Sequence, residues 1–166
     1  MGQLEIVTYP SALFDDREAV FSLLIDFSLH LSKSNATSHP LGLEPDQINQ
    51  QIDLFERLDE TLLIAKIEDA VIGCVGLRSF ENSSYENTCE MIFLFVKPAF
   101  RGFGFGHHLL GGFLDLAREK HYSHVLFDPL REHEAIRQLY DDFGFEEIPP
   151  LAHGTTSSST LMLLNL

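Results

Sequence analysis

Seven consecutive residues, Arg101-Gly102-Phe103-Gly104-Phe105-Gly106-His107, have the types and spacing most suited to chemistry. They follow an apolar run ending at Val96-Lys97-Pro98 and lead directly into a stretch with helical spacing. Glycines let main-chain amides approach a ligand closely, and a helix N-terminus adds unpaired N–H groups and a favourable dipole. Together these features can hold a phosphate or pyrophosphate without many charged side chains.

The charge pattern agrees. The chain carries 25 acidic and 11 basic residues, a net charge of −14. A window from Met91 to Leu114 should hold about three or four acids by chance, and it holds none. A buried strand and a glycine loop lack acids in any case. That does not explain Lys97, Arg101, His107 and His108, which bracket the loop. An anion site is the better reading. The same acidity argues against nucleic acid as the main partner and is compatible with a cationic or amine-bearing one.

Other reactive residue types carry less. Cys74 and Cys89 both lie in apolar runs and read as buried thiols in a reducing cytosol rather than a disulfide or metal pair. His121 and His124 lie three apart with no second cluster at ligand spacing, so no metal is expected. His153 reads as a solvated loop residue. Phe103 and Phe105 could cover a ligand or pack beneath the loop.

These residues need a scaffold. A length of 166 residues suits one domain spanning 1–166. No apolar run approaches a bilayer span, and the N-terminus shows no basic region followed by an apolar core. A cytoplasmic protein without membrane association is expected. Leu4–Thr8 reads as a strand. Val20, Leu23, Leu24, Phe27 and Leu31 mark a helix from Asp15 or Asp16 to about Leu31. Pro45 opens a second helix with Ile48, Ile52 and Phe55 inward. Strands at Thr61–Ile67 and Val71–Ser79 form a hairpin through Glu68-Asp69-Ala70. Glu90–Val96 is the strand before the glycine loop, and the helix after it runs to about Lys120. A short strand at His124–Phe127, a helix at Ala135–Phe143 and strands at Phe145–Ile148 and Thr160–Leu164 complete an α/β pattern. It describes a mixed sheet with helices on both faces.

With the elements in this order, the chain resembles the GNAT superfamily of acetyl-CoA-dependent N-acetyltransferases over nearly its full length. Arg101, Gly104 and Gly106 match the family's Arg/Gln-x-x-Gly-x-Gly/Ala motif, preceded by Val96-x-Pro98. Leu139-Tyr140-Asp141-Asp142-Phe143-Gly144-Phe145 resembles its L-Y-x-x-x-G-F signature, and Gly73 through Leu77 resembles the G-x-x-x-L of its second hairpin. Asp128–Pro150 is similar to small bacterial members. The family often carries Asn seven residues before the signature tyrosine, where it helps position pantetheine; His133 stands there in this chain.

The resemblance implies a central, mostly antiparallel mixed sheet and acetyl-CoA as co-substrate, without a metal. It places the pantetheine arm where Glu90–Val96 splays from His124–Phe127, on a bulge exposing backbone groups of Leu94, Phe95 and Val96. One of those amides would face the thioester oxygen. The pyrophosphate would rest on amides of Arg101, Gly102, Phe103, Gly104, Phe105, Gly106 and His107, with Arg101 partly structural. Tyr140 matches the tyrosine that protonates the departing thiolate; alternatively it is a half-buried helix tyrosine with its hydroxyl in solvent. Glu90 matches the glutamate that serves as general base in the histone-acetyltransferase branch; alternatively it serves solubility or a cross-strand pair. The acceptor is an amine on a small molecule, peptide or protein, and its pocket would involve the loops Ser32–Leu43, Phe80–Thr88 and Leu151–Ser159. Homodimers are frequent among relatives.

Two rival readings differ in kind. A dinucleotide-binding Rossmann domain needs G-x-G-x-x-G after its first strand, but the third position of that spacing is His107, and the loop lies past mid-chain. A GNAT-fold module that binds acyl-CoA as a sensor, without turnover, is the stronger rival, since fold alone does not settle function.

Overall fold

The computed structural model describes residues 2–34, 43–81, 84–129, 137–151 and 160–166. Strand β1 spans Leu4–Tyr9, followed by helices α1 (Arg17–Ser34) and α2 (Pro45–Glu56). Strands β2 (Thr61–Ile67), β3 (Ala70–Phe80) and β4 (Thr88–Val96) come next. Helix α3 (Phe105–Glu119), β5 (His124–Phe127), α4 (Arg137–Phe143), β6 (Glu146–Ile148) and β7 (Leu161–Asn165) complete the order.

Local chemistry explains the helix starts. The Asp16 carboxylate accepts the Ala19 amide at 3.0 Å, satisfying a donor that the helix cannot. In α2, Pro45 occupies the first turn, and Glu44 and Gln47 cap each other's backbone reciprocally. The buried stripes are those the spacing predicts: Val20, Leu23, Leu24, Phe27 and Leu31 in α1, and Ile48, Ile52 and Phe55 in α2. In α3 the stripe is Leu109, Leu110, Phe113, Leu114 and Ala117, with Phe105 at its head.

The sheet order is β1-β2-β3-β4-β5-β7-β6. Every pairing is antiparallel except β4 with β5. The α3 face gathers Leu63, Ala65, Val75, Leu77, Cys89, Met91 and Leu94 over the α3 stripe. The α1/α2 face gathers Leu62, Ile64, Cys74, Ile92 and Phe95 under the other two helices. Alternating residues of each strand therefore serve two cores, as the two-residue period of a strand requires. Ile67 pairs with Ala70, so the β2–β3 hairpin turns on Glu68-Asp69 alone, with Glu68 at φ 54°. Both cysteines are buried thiols. Among the described residues no helix is long and apolar enough to cross a membrane.

A polar clasp fixes α1 and α2 to the edge of the sheet. The Tyr9 hydroxyl donates to Glu56 at 2.6 Å, and Arg17 pairs with Glu56 at 2.6 Å and Asp53 at 3.0 Å. Burial, and then the bond to Glu56, pushes the Tyr9 hydroxyl well above the usual phenol range. The bonds from Tyr9 and Arg17 hold the Glu56 carboxyl below its ordinary value. Tyr9→Phe is expected to lower unfolding free energy by about 1 kcal/mol, seen as a lower urea midpoint at unchanged slope. An unchanged midpoint would show that this bond contributes nothing to holding α2.

Candidate functional site

Strand β4 changes character halfway along. Gly76 pairs with Ile92 and Cys74 with Phe95, so two steps on β3 oppose three on β4. The extra residue is a β-bulge, and Phe93 adopts φ 56° within it, an uncommon conformation for a bulky side chain. Before the bulge, Cys89 and Met91 face α3; after it, Leu94 and Val96 do so, while Ile92, Phe93 and Phe95 lie on the other face. The Cys74 thiol donates to the Phe93 carbonyl at 3.2 Å. Gly73 is required here, because a Cβ on it would sit 2.5 Å from the Phe95 carbonyl oxygen.

On its other side β4 pairs with β5 only from Thr88 to Glu90. Beyond Glu90 the two parallel strands separate, while Phe95 and Val96 stay paired with Cys74 and Gly73 of β3. This is the splayed, bulged geometry expected around Leu94, Phe95 and Val96, and all three line a cavity of about 560 Å³. A volume of that size suits a small-molecule ligand.

The loop after β4 forms the opposite wall. The Lys97 amide bonds to the Ile72 carbonyl at 2.8 Å, and a short 3-10 turn spans Pro98–Phe100. The Arg101 Nε donates to the Val96 carbonyl at 2.8 Å, and its guanidinium lies 5.5 Å from the Phe95 ring centroid. Arg101 thus ties the loop to the end of β4, and burial lowers its pKa. Gly102 and Gly104 adopt φ 83° and 82°, the left-handed region that favours glycine. A Cβ on either would meet nothing within 4 Å. Gly104 caps α3, whose first turn opens onto the cavity through Phe105, Gly106 and His107.

The third wall comes from α4, through Gln138, Leu139 and Asp142. Asp142 accepts a hydrogen bond from the His107 ring, with Nε2 and Oδ2 2.8 Å apart. None of these three α4 residues was assigned a role from sequence. Gln138 and Asp142 are four apart, so helical spacing alone places them on one face. The absent clue was that this face meets the glycine loop.

The remaining expected site residues fall in three groups. Phe103 is 57% exposed and does not line the cavity, with its ring centroid 6.0 Å from that of Phe105. Phe105 packs beneath the loop, so the two phenylalanines take different roles. Neither Tyr140 nor Glu90 lines the cavity, although Leu139 beside Tyr140 does. Tyr140 is 4% exposed and packs on Phe127 at 4.0 Å and Phe145 at 5.9 Å between centroids, which replaces the half-buried, solvent-facing alternative. Glu90 is 8% exposed and accepts a bond from Arg78 Nε at 2.7 Å, so the cross-strand pair is present. Glu90 lies four residues before Leu94, on the order of 13 Å along the strand. His133 lies outside the described residues, as do residues 35–42, 82–83 and 152–159 of the loops expected to receive the acceptor.

A cavity bounded by splayed main chain on one side and a glycine-capped helix N-terminus on the other can hold an extended ligand. One end would pair with strand backbone, and an anionic end would meet amides. Comparison with known proteins bears on the family and the fold. The sequence model of the acetyltransferase (GNAT) family matches residues 27–145. An uncharacterised N-acetyltransferase of Schizosaccharomyces pombe is 24% identical over 98% of this chain and 94% of its own length. An uncharacterised N-acetyltransferase of Dictyostelium discoideum is 33% identical over 45% of this chain, and the matched part is 35% of that protein. The solved structure of the paia N-acetyltransferase of Thermoplasma acidophilum, in complex with coenzyme A, shares the fold at a TM-score of 0.71. It is 16% identical, with 98% of this chain and 99% of that one covered.

Proposed function

The chain belongs to the acetyltransferase (GNAT) family, and on that premise we propose that it transfers an acetyl group from acetyl-CoA to a primary amine by direct attack in a ternary complex. The observation that carries this reading is the cavity between the end of β4, beyond its pairing with β5, and the amides heading α3. The glycine cradle fits a diphosphate: Gly102 and Gly104 leave open the space that a Cβ would fill. Bound there, acetyl-CoA supplies an acyl group activated as a thioester.

The chain's own residues then have defined tasks. Backbone groups of Leu94, Phe95 and Val96 align the pantetheine arm, and one amide among them faces the thioester oxygen. Holding both reactants in one orientation provides much of the rate, on the order of 7–11 kcal/mol for ideal alignment. A lysine-like amine has a free pKa near ~10.4 and must lose a proton before it attacks. Glu90 takes that proton. The amine nitrogen bonds to the acyl carbon, the carbon–sulfur bond breaks, the sulfur takes a proton from Tyr140, and the second proton shed by the new amide nitrogen passes through solvent to restore the Tyr140 hydroxyl. Support for Tyr140 comes from its position in the Leu139–Phe145 motif, next to cavity residue Leu139.

Thiol release from acetyl-CoA across a panel of small amines, amino acids, peptides and lysine-bearing proteins tests the reading. Release with at least one class is expected. Tight coenzyme binding with no release from any amine would favour the sensor reading instead.

Asp142 offers a separate check on where the anion sits. Its carboxylate lies at the wall of the proposed diphosphate site and occupies the His107 ring. Asp142→Asn removes one like charge from an exposed position, so coenzyme A should bind roughly 2- to 5-fold tighter, the range of an exposed ion pair. Unchanged or weaker binding in calorimetry would count against a diphosphate at this wall.

A further inference from the structure

The α1/α2 face of the sheet carries a row of charge of which the reaction scheme uses only Glu90. Glu60 stands immediately before β2, where Thr61 pairs with Leu77, and Arg78 pairs with Glu90. Glu60, Arg78 and Glu90 therefore align across three neighbouring strands on one face. Glu90 is more than nine-tenths buried, and Arg78 reaches it at 2.7 Å. Arg78 also feels the field of Glu60, and Gln51 of α2 donates a hydrogen bond to Glu60. On the far side of Glu90 the row continues into Leu126 of β5, which is apolar and buried.

From this geometry we infer that Arg78 and Glu60 are positioning residues for the transfer: Arg78 fixes the Glu90 carboxylate, and Glu60 shares the guanidinium so that Glu90 can still accept the proton of the incoming amine. The inference rests on Glu90 being that proton acceptor. An isolated buried carboxylate–guanidinium pair resists protonation, because the cation favours the ionised form. With a second carboxylate in the row, one cation serves two anions. When Glu90 gains the amine's proton, the row goes from one net negative charge to none, with Arg78 still in the field of the Glu60 carboxylate. The proton moves from nitrogen to a Glu90 oxygen, and Arg78 remains a cation throughout. Burial, the main cause, raises the Glu60 pKa, and Glu90 adds to the rise, while Gln51 and Arg78 oppose it.

The charged groups facing Glu90 are Arg78 from β3 and Glu60 from the head of β2, with Asp59 acting on Glu60 from beside it. Contributions of opposite sign follow. The test is a pH titration of the Glu90 carboxyl carbon by NMR, with no substrate present and with Glu90→Gln identifying the signal. The acidic limb of kcat/KM is measured alongside on the same variants. Arg78→Met should move the Glu90 midpoint and the acidic limb up by roughly one pH unit. Glu60→Gln should move both down by roughly half a unit. Arg78→Lys, which keeps the charge, should leave the midpoint near that of the wild type.

A carboxyl midpoint that neither Arg78→Met nor Glu60→Gln moves overturns the inference, even where stability or turnover falls. If Arg78→Met does not fold, Glu60→Gln decides alone. Retention of the acidic limb in Glu90→Gln, with the carboxyl shifts as expected, would instead remove Glu90 as the proton acceptor while leaving the charge row intact.

Discussion

Gly104→Val should weaken coenzyme A binding by at least about 100-fold, the loss of some 2.7 kcal/mol, and acetyl transfer should vanish at ordinary coenzyme concentrations. Two effects combine. Gly104 adopts φ 82° as the cap of α3, and a residue with a Cβ in the left-handed region costs roughly 1–2 kcal/mol. A Cβ there meets nothing within 4 Å, so the branched side chain occupies space in front of the amides rather than displacing protein. A control separates binding from general damage. Gly111 lies within α3, away from the loop, and its Cβ would also meet open space. Gly111→Ala should retain binding and gain up to about 1 kcal/mol of helix stability. A normal dissociation constant for Gly104→Val, in a protein that is folded, would remove the diphosphate from this loop.

Tyr140→Phe should lower kcat by roughly 10- to 100-fold, at the lower end of general acid–base contributions, with the coenzyme dissociation constant nearly unchanged. The variant is informative because the ring packs in one cluster with Phe127 and Phe145. Phenylalanine keeps that packing and deletes only the hydroxyl. A fall in kcat with unaltered coenzyme affinity therefore reports a group acting after binding. Unaltered turnover would assign Tyr140 to the core alone.

Several features of this site can be read from residue order. The three helix stripes follow from apolar spacing, and the start of α2 follows from Pro45 and the Glu44–Gln47 pair. The glycine loop is legible because Gly102 and Gly104 stand where a left-handed backbone is needed. Other features depend on contacts between distant segments. The bulge centres on Phe93, not a glycine, so no residue type marks it; Gly73, the partner that allows the close approach, lies 20 positions earlier. Asp142 and Gln138 become wall residues only because α4 packs against the head of α3. Glu60 and Arg78 join Glu90 only once the registers of two hairpins are fixed, and a shift of one residue would place them on the opposite face. Phe103 and Phe105 illustrate the same limit: they are two apart in one loop, and only the start of α3 separates an exposed ring from a buried one.

The central claim is that a coenzyme's diphosphate rests on main-chain amides between β4 and α3. The most direct measurement is an amide-resolved NMR titration of the protein with coenzyme A. The largest shifts should fall on Leu94–Val96 and Gly102–His107, with downfield amide protons from Gly104 to His107 that mark new hydrogen bonds to an anion. Saturable shifts confined to other segments, or none at millimolar coenzyme, would contradict the account.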